Sequence, residues 1–200
     1  MSYPTNLEYA LLAAAVYKPN EPNRIVTGEW LEVHYVHHPE SENSLVNNFT
    51  GAIYQKGEQF VVALSGTDNI ASDMFDANIP LGAGAWSDQL EHAVDLYFTA
   101  LDLAQDDASK ITFTGHSLGG GLAGLMSVFF DSKAHVFDTA PFEYSAYSLD
   151  VLSHIREHMI EKGYQSDAFD EYSEYVLSEY KQNDLIDQGI DWDQIQGTDP

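Results

Sequence analysis

The chain has 200 residues and a mass of 22.3 kDa, which is room for one domain of ordinary size. Asp and Glu number 32 against 8 Lys and Arg, a net charge of −24, so phosphate backbones are repelled and nucleic-acid binding is excluded, as is a polybasic lipid anchor. Cysteine is absent, which removes disulfides, thiolate metal sites and a Cys nucleophile.

In chain order, Asn6 to Tyr17 reads as a short amphipathic helix. Asn6 is its N-cap, and Leu7, Leu11, Ala14 and Ala15 share one face. Glu8 stands where a signal peptide needs a basic residue, so no N-terminal signal peptide is expected, and the compartment stays unassigned. No apolar run reaches membrane-spanning length. Trp30 to His37 alternates as a half-buried strand, with Leu31, Val33 and Tyr35 on one side and Glu32, His34 and Val36 on the other. A polar loop, Pro39 to Asn48, follows. Gly51–Tyr54 and Phe60–Leu64 then flank a short turn at Gly57 and predict a β-hairpin. The second run is almost wholly apolar, as a strand buried on both faces must be.

Asp68 to Ala85 is irregular. Trp86 to Ala104 carries Leu90, Ala93, Val94, Tyr97, Leu101 and Ala104 at helical spacing. A strand at Ile111–Thr114, an apolar helix at Leu118–Phe130 and a strand at Ala134–Phe137 follow. Alternating strands and helices imply crossover connections and a parallel central sheet. After Phe137 no further strand is expected. Leu149, Leu152, Ile155 and Met159 form one helical stripe, and Phe169, Tyr172, Val176 and Tyr180 another. Residues 151–200 carry a net charge of −9, so this part reads as an acidic helical extension. The expected organisation is an α/β core over 1–147, with 148–200 belonging to the same domain.

The chemistry concentrates in Ile111-Thr112-Phe113-Thr114-Gly115-His116-Ser117-Leu118-Gly119-Gly120-Gly121. Gly115, Ser117 and Gly119 spell G-x-S-x-G between a β-rich run and an apolar helix, the context of a nucleophile elbow. Such a turn projects a serine hydroxyl above the sheet at a helix N-terminus, where free N–H groups favour an oxyanion. The alternative is a Gly-rich turn that cradles phosphate. The second oxyanion donor comes from the loop after an earlier central strand, which makes Leu64-Ser65-Gly66-Thr67-Asp68 the candidate.

These segments resemble class 3 lipases, the fungal triacylglycerol-lipase branch of the α/β-hydrolases. The likeness runs from about Asn6 to Phe142. It rests on Ala13-Ala14-Ala15-Val16-Tyr17, on Val61-Val62-Ala63-Leu64-Ser65-Gly66-Thr67 and on Gly115-His116-Ser117-Leu118-Gly119-Gly120. The resemblance implies an α/β-hydrolase fold, Ser117 as nucleophile, Thr67 and the Leu118 N–H as oxyanion hole, and a lid over Asp68–Leu81. Gly66, Gly115, His116 and Gly119 support the motif. Ser65 stands where the family has Arg. The family's acid and His follow further strands, which this chain lacks after Phe137, so acid and base are unassigned. The sequence reads as the front part of a longer catalytic domain.

Of the eight histidines, His34, His37, His38 and His92 precede the elbow, against the expected order. His154 and His158 share a helix, and we read both as its surface. Asp138 comes one strand too early for the acid, and Asp184, Asp187, Asp191 and Asp193 read as solvated. No metal or cofactor is expected. Met74, Phe75, Ile79 and Leu81 offer apolar surface for an acyl chain or an interface, with ordinary core packing as the alternative, and Trp86 reads as core. The expected function is a serine carboxylester hydrolase acting on lipid or another carboxylester. The competing reading is a hydrolase-like module that binds a protein or lipid partner through its acidic, Tyr-rich C-terminal part. A sheet ending at Phe137 would leave an uncovered edge, to be covered by the C-terminal helices or by pairing of two chains.

Overall fold

The computed structural model describes residues 3–17, 26, 28–38, 49–66 and 87–182. A five-stranded sheet in the order β1-β2-β3-β4-β5 is built from Leu31–His38, Phe49–Lys56, Gln59–Leu64, Ile111–His116 and Lys133–Phe137. β1–β2 and β2–β3 pair antiparallel. β3–β4 and β4–β5 pair parallel, so the sheet is parallel where the Gly-rich turn sits. The helices are α1 (Asn6–Ala15), α2 (Asp88–Leu103), α3 (Leu118–Phe129), the short α4 (Glu143–Ala146), α5 (Leu149–Lys162) and α6 (Asp167–Gln182).

The β2–β3 hairpin forms where Gly57 supplies a positive φ of 61° at the turn. β3 is buried on both faces. Phe60, Val62 and Leu64 point into a core with α2 and α3, while Val61 and Ala63 point into a second core under α1 with Tyr9, Leu12, Val16 and Trp30. Residues of α5 and α6, among them Leu152, Ile155, Phe169 and Val176, belong to the first core. Phe129 meets Phe169 edge-on with ring centres 5.8 Å apart.

Three expectations need correction. The helix begins one residue after Thr5, which is its N-cap: the Thr5 hydroxyl accepts from Glu8 N–H and Glu8 answers to the Thr5 backbone, a capping box. Its buried face is Tyr9, Leu12, Ala13 and Ala15, whereas Leu7 is 69% and Leu11 42% exposed. The helix is apolar on nearly every side, so contact with the sheet, through the Tyr9 O–H donated to Thr112 Oγ1, selects the face. In β1 a bulge between Glu32 and His34 breaks the alternation, burying Glu32 and exposing Leu31. The C-terminal helices pack on α2 and α3 rather than across β5, because their apolar stripes match the helical layer. Among the described residues, no strand pairs with the outer edge of β5.

Candidate active site

The parallel register sets Leu64 beside Gly115, so the exit of β3 runs alongside the turn that follows β4. β4 extends through His116 and α3 starts at Leu118, leaving Ser117 alone at the junction. Its backbone is at φ 57°, ψ −126°, a region that costs a non-Gly residue of order 1–3 kcal/mol. Three hydrogen bonds hold it there. Ser117 N–H donates to Phe137 O (3.1 Å), and Ser117 O accepts from Gly121 N–H (3.1 Å) and Ala140 N–H (2.9 Å).

The flanking glycines are needed for contact. A Cβ on Gly115 would lie 2.2 Å from Gly119 O, and one on Gly119 would lie 2.2 Å from Leu64 O. Both obstacles are backbone, so no side chain can yield. Gly66 packs against the same place, where a Cβ would meet His116 O at 3.1 Å and Leu118 N at 3.4 Å. Leu118 opens α3, and its N–H belongs to the first-turn donors that a helix leaves without internal partners. Thus Gly66, Gly115, His116, Ser117, Leu118 and Gly119 come together. Ser117 is half-buried and His116 exposed. Thr67, the segment Asp68–Leu81, Trp86 and the four late aspartates lie outside the described residues.

All eight histidines are described. Among the described residues no hydrogen bond joins any of them to Ser117. His37 Nδ1 pairs with Thr50 Oγ1 (2.9 Å). His38 stacks on His92 at 3.9 Å, and burial, with His38 second, holds His92 below its ordinary pKa. His135 stacks on Tyr9 at 4.1 Å. His154 remains at the helix surface beside Asp150.

His158 departs from the surface reading. It is 8% exposed, and its Nε2 lies 2.8 Å from Asp95 Oδ1 while Nδ1 lies 3.6 Å from Glu91 Oε2. Both carboxylates are on α2, so the ring joins α5 to α2. No sequence signal pairs residues 63 positions apart. Asp138 (φ 45°) is exposed on the β5-exit loop, between the Phe137 and Ala140 bonds to the Ser117 backbone. Among the described residues, no three His, Asp or Glu side chains form a group able to hold a metal ion.

A strained serine between a parallel strand and a helix N-terminus, with an earlier strand exit packed beside it, is the arrangement of the α/β-hydrolase class. Within that class the chain belongs to the phospholipase-like family, whose Tle-like phospholipase domain matches residues 8–165. The matched family is one of lipase and phospholipase type, and the match is not specific to the class 3 fungal lipases. A comparison with curated proteins gives no match.

Proposed function

We propose that the chain is a serine carboxylester hydrolase of lipase or phospholipase type, with Ser117 as nucleophile. Ser117 Oγ attacks the ester carbonyl carbon and its proton passes to a general base, a role we assign to none of the eight histidines where they stand. The tetrahedral oxyanion is held by the Leu118 N–H and by Thr67. Collapse expels the alcohol, which takes a proton, and leaves an acyl-serine. Water then adds to the acyl carbonyl, releasing the fatty acid and restoring Ser117. The likeness to class 3 lipases enters here as support for these roles. With a net charge of −24, zwitterionic headgroups suit this surface better than anionic ones.

The observation that carries the reading is the Ser117 backbone. A turn that only started a helix would place Gly at φ 57°, at no steric cost. Keeping a serine there, locked by three hydrogen bonds, makes sense if the hydroxyl is used. The same strain weighs against a binding module.

A fluorophosphonate probe, read by peptide mapping, should label Ser117 and no other serine. Ser117→Ala should abolish labelling and the hydrolysis of phosphatidylcholine and p-nitrophenyl esters. It should leave the thermal midpoint within about 3 °C. Retained hydrolysis in that variant refutes the nucleophile.

A further inference from the structure

Tyr17 stands directly after Val16, the C-cap of α1. Its hydroxyl sits between two loops that arrive from distant parts of the chain. It accepts the Gly66 N–H at 2.7 Å and donates to His116 O at 3.4 Å. The first bond is short and the second long, so the hold on Gly66 dominates. A Cβ on Gly66 would lie 2.9 Å from the same hydroxyl, 3.1 Å from His116 O and 3.4 Å from Leu118 N. The β3 exit and the last strand residue before Ser117 therefore share one phenol oxygen, and the first helical N–H after Ser117 faces the same side of Gly66.

Two things follow from this geometry. The Gly66 N–H is committed to Tyr17, which removes it from the donors available to an oxyanion. The Gly66 backbone is also held against the Leu118 N–H, so the hydroxyl controls how closely the β3 exit approaches the elbow. Donors in an oxyanion hole act through fixed position, and a misplacement of about 1 Å in an active site can cost on the order of a hundredfold in rate.

We infer that Tyr17 is a positioning residue of the acyl-transfer site, whose hydroxyl pins the β3-exit loop at the Leu118 N–H. The inference rests on Ser117 being the nucleophile. The Tyr17 hydroxyl bonds to the Gly66 N–H and to His116 O, and it acts on the site through Gly66. A packing role for the ring alone would leave the hydroxyl without effect on rate.

Tyr17→Phe separates the two, because it keeps the ring and deletes the oxygen. The expected results are a Gly66 amide exchange rate, read by ¹⁵N NMR, that rises about tenfold or more as its bond is lost. Fluorophosphonate labelling of Ser117 and kcat for p-nitrophenyl butyrate should fall roughly tenfold, with KM within about twofold. The thermal midpoint should move by less than about 3 °C. Unchanged Gly66 exchange, unchanged labelling, a change in KM alone, or a loss of activity that tracks a loss of folded protein would each overturn the inference. The Ser117→Ala arm keeps the two readings apart. If Ser117→Ala loses labelling while Tyr17→Phe labels at the wild-type rate, Tyr17 alone is refuted. If wild-type Ser117 does not label, the nucleophile is refuted, whatever Gly66 exchange shows.

Discussion

Gly119→Ala probes the elbow with one methyl group. The added Cβ would lie 2.2 Å from Leu64 O, 2.5 Å from Ser65 C and 2.7 Å from Leu64 C. A carbon approaches an oxygen to about 3.2 Å at closest without strain, so the elbow and the β3 exit must part by roughly 1 Å. Leu64 is fully buried and paired in register with Gly115, and Ser65 N–H is bonded to Thr50 O at 2.9 Å, so neither side can yield cheaply. Overpacking of this kind costs about 1–3 kcal/mol of stability. The same separation moves the Leu118 N–H away from the β3 exit, and about 1 Å of misplacement predicts a fall of about a hundredfold in kcat. Gly120→Ala is the control. Its Cβ would meet Thr139 Cα and Cβ at 3.2 Å and Gly115 O at 3.3 Å, contacts that need a shift of only about a few tenths of an ångström, against roughly 1 Å at Gly119. That variant should lose no more than about threefold in kcat. The assay is steady-state ester hydrolysis beside urea unfolding of both variants. Equal activity in the two variants, or an active Gly119→Ala, would refute the elbow argument.

Glu8 gives a prediction at the opposite end of the sheet from Ser117. Its carboxylate accepts from Thr5 N–H and Oγ1, from Trp30 Nε1 and from Lys56 Nζ, all at 2.8–3.0 Å. These donors, the Thr5 backbone N–H first, pull its pKa from 4.5 down to about 2. The folded state holds the proton less tightly than the unfolded state, so the stabilisation is full above pH 4.5 and is lost as pH falls towards 2. Glu8→Gln should cost about 1–2 kcal/mol at pH 7, allowing for solvent screening, and the gap should close in acid. Parallel urea-midpoint curves from pH 6 to 2.5 would contradict this. His92 has the same sign for a different reason. Burial and the stacked His38 disfavour its charged form, while Asp95 and Asp88 partly offset them and His158 adds to them. Stability should fall as pH drops below 6.5, the ordinary His value, and His92→Phe should flatten that slope in thermal melts. An unchanged slope would show that the His38–His92 stack is not the source.

Local patterning by itself determined the frame of this protein. The apolar run Phe60–Leu64 announced a strand buried on both faces, because a run without alternation has no side to give to water. Gly115 and Gly119 announced a tight strand-to-helix turn around Ser117, because only residues without Cβ fit where two backbones touch. The spacing of Leu90, Ala93, Val94 and Tyr97 announced α2, since a repeat of 3.6 residues survives in any packing. What tertiary structure decided is of another kind. The face α1 buries depended on the sheet that receives it, as its Ala-rich surface offers nearly equal choices all round. The bulge in β1 re-aimed Glu32 inward through pairing with β2. The Leu64–Gly115 register brought the β3 exit to Ser117. His158 found Asp95, and Tyr17 found Gly66, across 63 and 49 positions. Such contacts carry no periodicity, because they depend on where separate elements dock, and docking is set by the whole core rather than by the residues that meet.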